Sequence, residues 1–185
     1  MRQPTARLFF YDQFLFKMKT LKLFIAALAI ILNINIANAQ VTKAEVQVSG
    51  LTCSLCSKAT EKALFGLNFV GDIKVDLNRN VFVLIFKKDM PVNFDQISKK
   101  VQGAGFSINN LKVTFDFDKV KVANSYFNYA GDTYRIVNGA NPTISGPVAL
   151  TVVDKGFAPA NVVKKYAVTS PDNAGKTGRV YHVAI

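Results

Sequence analysis

The chain has 185 residues, half of them hydrophobic, and a formal net charge of +11 at pH 7, which is enough apolar material for a packed core in one domain of ordinary size or two small ones. Its lysines are spread along the sequence without an arginine-rich stripe or an interleaved aromatic platform, which argues against a nucleic-acid partner. A single histidine, His182, leaves little material for acid–base catalysis, so the expectation is a non-enzymatic protein.

Residues 18–39, MKTLKLFIAALAIILNINIANA, read as a secretory signal: Lys19 and Lys22 precede an apolar run, and Ala37-Asn38-Ala39 offers a small-x-small cleavage site. The run is broken by Asn33 and Asn35 and falls short of the roughly 20 residues that span a bilayer. Cleavage after Ala39, with no stable membrane span left behind, is therefore expected, an uncleaved anchor being the alternative. Residues 1–17 do not look like the start of a signal, and Met18 is the expected true start. Removing residues 1–39 takes away five basic residues and one acidic one, lowering the charge from +11 to +7. The expected destination is the periplasm or another exported location.

Residues 40–117 alternate between strand and helix periods. Val46 and Val48 alternate with polar neighbours as a first strand. Residues 54–67 then carry Cys56, Thr60, Ala63, Leu64 and Leu67 at helical spacing. Ile73, Val75 and Leu77, then Phe82, Leu84 and Phe86, form a hairpin across the turn residues Asn78, Arg79 and Asn80. After Pro91, Asn93 is a predicted N-cap with Gln96 as its capping-box partner, and Phe94, Ile97 and Val101 supply the apolar stripe of a second helix closed by Gly103-Ala104-Gly105. Phe106, Ile108, Leu111, Val113, Phe115 and Phe117 give a last strand with an irregularity at Asn109-Asn110. The order is βαββαβ, and a four-stranded antiparallel sheet with both helices on one face follows, the ferredoxin-like arrangement.

Residues 118–185 change character. Tyr126, Tyr129, Tyr134 and the runs at 148–154 and 179–185 are strand material punctuated by Gly and Pro. A small β-rich module of unknown role is expected, as a barrel or sandwich. The fold class is thus α+β, a ferredoxin-like domain followed by a small mostly-β module.

Only two cysteines are present, Cys53 and Cys56, in Gly50-Leu51-Thr52-Cys53-Ser54-Leu55-Cys56 between the first strand and the first helix. A bridge across so short a loop constrains the unfolded chain little, so the pair suits chemistry better than stability. A helix N-terminus supplies unpaired N–H groups and partial positive charge that favour thiolate. Two thiolates suit Cu(I), or Hg(II) or another thiophilic ion, all soft cations. Zinc fits poorly, because it takes four protein ligands in a structural site or three and a water in a catalytic one.

The loop, the domain length and the βαββαβ order resemble the heavy-metal-associated domain of copper chaperones, periplasmic mercury-binding proteins and the N-terminal modules of metal-transporting P-type ATPases. The family pattern G-M-T-C-x-x-C is matched by Gly50, Thr52, Cys53 and Cys56. Leu51 stands where Met is usual, a volume-conserving change, and Thr60 stands where a large aliphatic residue is usual. The resemblance covers residues 43–117. It implies that Cys53 and Cys56 are the metal ligands, that Phe106 approaches the sulfurs from the loop after the second helix, and that the partner is a metal-transporting or metal-receiving protein.

Blander roles compete with these. The cysteines can be a plain disulfide, Phe106 an ordinary core aromatic, His182 a satisfied histidine, and Lys58 and Lys62 solvated side chains or a surface for an acidic partner. The leading expectation is an exported Cu(I) carrier or sequestering protein. A thiol–disulfide oxidoreductase is the first alternative, since CxxC at a helix start is also the redox motif, although no tryptophan precedes Cys53. The second is an interaction module in which the β-rich half binds a partner.

Overall fold

The computed structural model describes residues 40–88, 90–117, 122, 124–138, 144–166 and 178–185. The expected upstream extension and signal peptide, residues 1–39, lie outside them. All described residues belong to one compact unit.

The first half follows the expected order: β1 (Gln40–Ser49), α1 (Ser54–Phe65), β2 (Val70–Asp76), β3 (Val81–Phe86), α2 (Phe94–Gly103) and β4 (Ser107–Asp116). The strands lie in the order β2-β3-β1-β4 with every neighbouring pair antiparallel. Period-two alternation decides the faces. Ala44, Val46 and Val48 of β1 are buried, while Lys43, Glu45 and Gln47 point to the open face. Leu64 of α1 and Phe94, Ile97 and Val101 of α2 close the core against the buried side chains of the sheet. This is the ferredoxin-like arrangement.

Local chemistry sets the element ends. Asn93 Oδ1 accepts from the Gln96 amide at 3.0 Å and starts α2. The irregularity expected at Asn109-Asn110 is a β-bulge: Gln47 pairs with Asn110 and Val48 with Ile108, so Asn109 is the extra residue. Leu77 departs from expectation. β2 ends at Asp76, whose carboxylate accepts from the amides of Asn78 and Arg79 at 3.1 and 3.2 Å, and Leu77 is 58% exposed. Turn chemistry at Asp76 overrides the alternation that had placed Leu77 in the strand.

The second half contributes β5 (Tyr126–Tyr129), β6 (Asp132–Ile136), β7 (Pro147–Val152), α3 (Ala160–Lys165) and β8 (Val180–Ala184). The expected barrel or sandwich is not what these strands form. β7 pairs with β4 from Leu111↔Val152 to Asp116↔Pro147, and the sheet continues β4-β7-β8-β6-β5, with β6 and β8 parallel. The physical reason lies in β4, a ten-residue strand whose open edge needs backbone partners that β7 supplies.

Side chains continue the same connection. Phe94 of α2, fully buried, meets Phe115 of β4, Tyr134 of β6 and Tyr181 of β8 edge to face at 6.3, 6.0 and 5.7 Å. Tyr134 also stacks on Phe127 and Tyr181 at 5.0 and 5.1 Å. Ser98 Oγ of α2 donates to the Gly156 carbonyl at 3.0 Å. The β-rich half therefore rests on α2 as well as on the edge of β4.

Candidate metal centre

The end of β1 delivers the chain into a loop that only a few residue types can follow. Gly50 sits at φ +88°, in the left-handed region that favours glycine. A Cβ there would lie 3.5 Å from Cδ1 of Phe106, so the ring packs directly against the bare backbone. Leu51 is half-buried and packs on the core. The loop shares its end of the sheet with the β2–β3 turn, because the Val48 amide donates to the Asn80 carbonyl at 2.9 Å.

Cys53 is the N-cap of α1, with extended backbone at φ −144° and ψ 155°. Its sulfur takes the place of the usual cap oxygen, accepting from the Cys56 amide at 3.2 Å. Cys56 follows in the first turn, and the two Cα atoms are 5.3 Å apart with the sulfurs joined in a disulfide. The sequence therefore brings its two predicted site residues to one point. Cys53 is exposed and Cys56 half-buried. No acidic residue sits in the first turn of α1 to compete with a negative sulfur for the helix N–H groups.

Two hydroxyls escaped the sequence reading. Thr60 Oγ1 donates to the Cys56 carbonyl at 3.0 Å, and Ser57 Oγ donates to the Cys53 carbonyl at 3.4 Å. Thr60 is fully buried and Ser57 nearly so. Each stands four residues after the cysteine whose carbonyl it meets. That is the spacing at which Ser and Thr bond back onto a helix, and it was the available signal. Thr60 thus fills the aliphatic position with a side chain that satisfies its own hydroxyl.

Of the other candidates, Phe106 meets the motif loop at Gly50. Phe106 is half-buried, against both the core and Gly50. His182 lies in β8, three strands from β1 in the sheet, and its Nδ1 is 2.7 Å from Asp154 Oδ1 while its backbone amide donates to Asp154 Oδ2 at 2.8 Å. These two contacts tie His182 to Asp154 in a structural role. Lys58 and Lys62 are exposed on α1. Among the described residues, no three His, Cys, Asp or Glu side chains converge as a metal cluster. A polar groove of 460 Å³ lies on the open sheet face, lined by residues that include Glu45, Arg79, Asn110 and Lys112 but neither cysteine. Among the described residues, the soft donors assembled at the loop are two sulfurs, which in reduced form are anionic and sufficient for an ion that accepts two ligands.

A model of the heavy-metal-associated domain matches residues 45–107. The copper chaperone CopZ of Staphylococcus epidermidis, in two strains, is 30% identical over 67 residues, a stretch that covers 36% of this chain and 97% of the relative. Among solved structures, the N-terminal domain of ZntA in its apo form is 26% identical, with 38% of this chain and 92% of that one covered and a TM-score of 0.33. A yeast copper transporter domain, Ccc2a, solved in apo and Cu(I)-loaded states, is 25% identical, with 35% and 88% covered and a TM-score of 0.32. With a relative matched over almost its whole length and the glycine, threonine and cysteine pair of the motif in place, the chain belongs to the heavy-metal-associated domain family.

Proposed function

We propose that this protein is an exported carrier or sequestering protein for Cu(I), held between the thiolates of Cys53 and Cys56 and passed to a metal-transporting or metal-receiving protein. The carrying observation is the meeting of both sulfurs at the N-terminus of α1, with the Cys56 amide already donating to Cys53 Sγ. A thiolate pair leaves a bound monovalent cation with a net negative centre, which the helix N-terminus offsets. Two ligands and an exposed first sulfur suit transfer by stepwise ligand exchange, in which an incoming thiolate binds before a resident one leaves.

Copper is favoured over zinc because the loop supplies two donors and zinc takes three or four from protein. The CopZ relative, a copper chaperone, supports the same choice. Hg(II) is the alternative cargo that the same pair accepts. Export is supported by the composition of residues 18–39, and a periplasmic or otherwise extracytoplasmic site of action goes with it.

The test is anaerobic titration of the reduced protein with Cu(I) against a chromogenic competitor. One Cu(I) per chain is expected, lost in the Cys53→Ser/Cys56→Ser variant. Equal uptake by that variant rejects the assignment.

A further inference from the structure

A surface helix of a folded domain turns its apolar side chains to the core and its charged and polar ones to water. Helix α1 does the first and not the second. Its core side carries Ser57, Thr60 and Leu64, all buried. On the outer side Leu55, Lys58, Lys62 and Phe65 recur at spacings of three, four and three, which set them in one exposed stripe. Leu55 is 76% exposed and Phe65 58% exposed, so two of the four large exposed hydrophobic residues among those described share this stripe. Single apolar residues scattered over a surface call for no explanation, whereas two on one helical stripe with lysines between them do.

The surroundings are poor in free acid. Glu61, the one acidic residue of α1, is half-buried. The neighbouring helix α2 packs beside α1 and adds exposed Lys99 and Lys100, while Asp95 at its start is paired with Arg179.

From this arrangement we propose that the outer stripe of α1 docks on a membrane surface carrying anionic phospholipids. Leu55 and Phe65 enter the boundary between headgroups and acyl chains. The ammonium groups of Lys58 and Lys62 stay level with the lipid phosphates, and their methylene stems lie along the apolar boundary. A bilayer suits the stripe better than an acidic protein does. The two apolar side chains stand out from a helix surface, and a fluid lipid boundary receives them without matching pockets, whereas a protein partner needs one for each. The attachment is shallow, since no helix among the described residues is long and apolar enough to cross a membrane. Leu55 lies between Cys53 and Cys56 in the sequence, so docking by this stripe brings the cysteine loop to the bilayer surface. The docking itself needs no metal.

The chain contains no tryptophan, so Phe65→Trp in the full chain places a single fluorescent reporter on the stripe. Its emission is followed, without metal and at low salt, as vesicles are added, made either of phosphatidylglycerol with phosphatidylcholine or of phosphatidylcholine alone. A blue shift, with quenching by lipids brominated on their acyl chains, is expected with the anionic vesicles and not with the neutral ones. With Lys58→Glu/Lys62→Glu added, the same shift is expected to need at least about tenfold more anionic lipid. Circular dichroism checks that this variant keeps its fold, as its two exposed positions imply. An equal shift with neutral vesicles, or an unchanged lipid requirement in the charge-reversed chain, overturns the proposal. So does the absence of any shift with anionic vesicles, which leaves the stripe to a protein partner.

Discussion

The phenol oxygen of Tyr129 accepts a hydrogen bond from the Val92 amide at 3.0 Å, and this buried contact joins strand β5 to the segment that leads into α2. The two residues are 37 positions apart, one in the metal-binding half and one in the β-rich half. Tyr129 is 6% exposed and Val92 3% exposed, so water does not replace either partner.

Tyr129→Phe keeps the ring and removes the acceptor. A buried amide left without a partner costs about 1–3 kcal/mol. Urea denaturation followed by circular dichroism is expected to show that loss with an unchanged dependence on denaturant.

Phe94→Ala removes a fully buried ring that touches β4, β6 and β8 at once. The expected destabilisation is about 3–5 kcal/mol. Because the ring bridges both halves, near-ultraviolet signals of the tyrosines and Cu(I) retention are expected to be lost in one transition. Two separate transitions would show that the halves unfold independently.

Gly50→Ala places a side chain at φ +88°, where the contact with Phe106, at 3.5 Å, is ordinary but the backbone is strained. The cost expected from the conformation is about 1–2 kcal/mol. The loop shifts to relieve it, so Cu(I) affinity is expected to fall while stoichiometry stays at one per chain. Competition titration reads both.

Burial raises the phenol pKa of Tyr129, Tyr134 and Tyr181 above the ordinary tyrosine value. These groups remain protonated in the folded chain after their unfolded counterparts, near pH 10, have ionised. In that window the folded state binds more protons, so stability is complete below about pH 10 and falls as pH rises beyond it, by about 1.4 kcal/mol per pH unit for each phenol kept neutral. Tyr134→Phe is expected to flatten this slope. Denaturant midpoints at about pH 8 and pH 11 measure it.

Much of the first half was legible because its signals are local. Asn93 and Gln96 mark a helix start, alternation from Val46 to Val48 marks a strand, and two cysteines between them mark a site. Leu77 misled because alternation continues one residue past the point where the Asp76 carboxylate turns the chain. The second half hid its architecture for a different reason. Which strand pairs with which is set by contacts distant in sequence, such as Phe115↔Val148 and Thr133↔Val180, and no periodicity within β7 or β8 names its neighbour. Helix α3 buries none of its residues, so it left no apolar stripe to read. At the site, Cys53 and Cys56 were visible from spacing. The Thr60 hydroxyl was visible only as a departure from the family pattern, and its bond to the Cys56 carbonyl emerges from the folded helix.

The most direct measurement is X-ray absorption at the copper edge of the reduced, Cu(I)-loaded protein, in the absence of added thiols. Two sulfur scatterers and no nitrogen or oxygen are predicted, with the signal absent from the Cys53→Ser/Cys56→Ser variant. A first shell containing nitrogen, or copper retained by the double variant, would contradict a site made by these two cysteines.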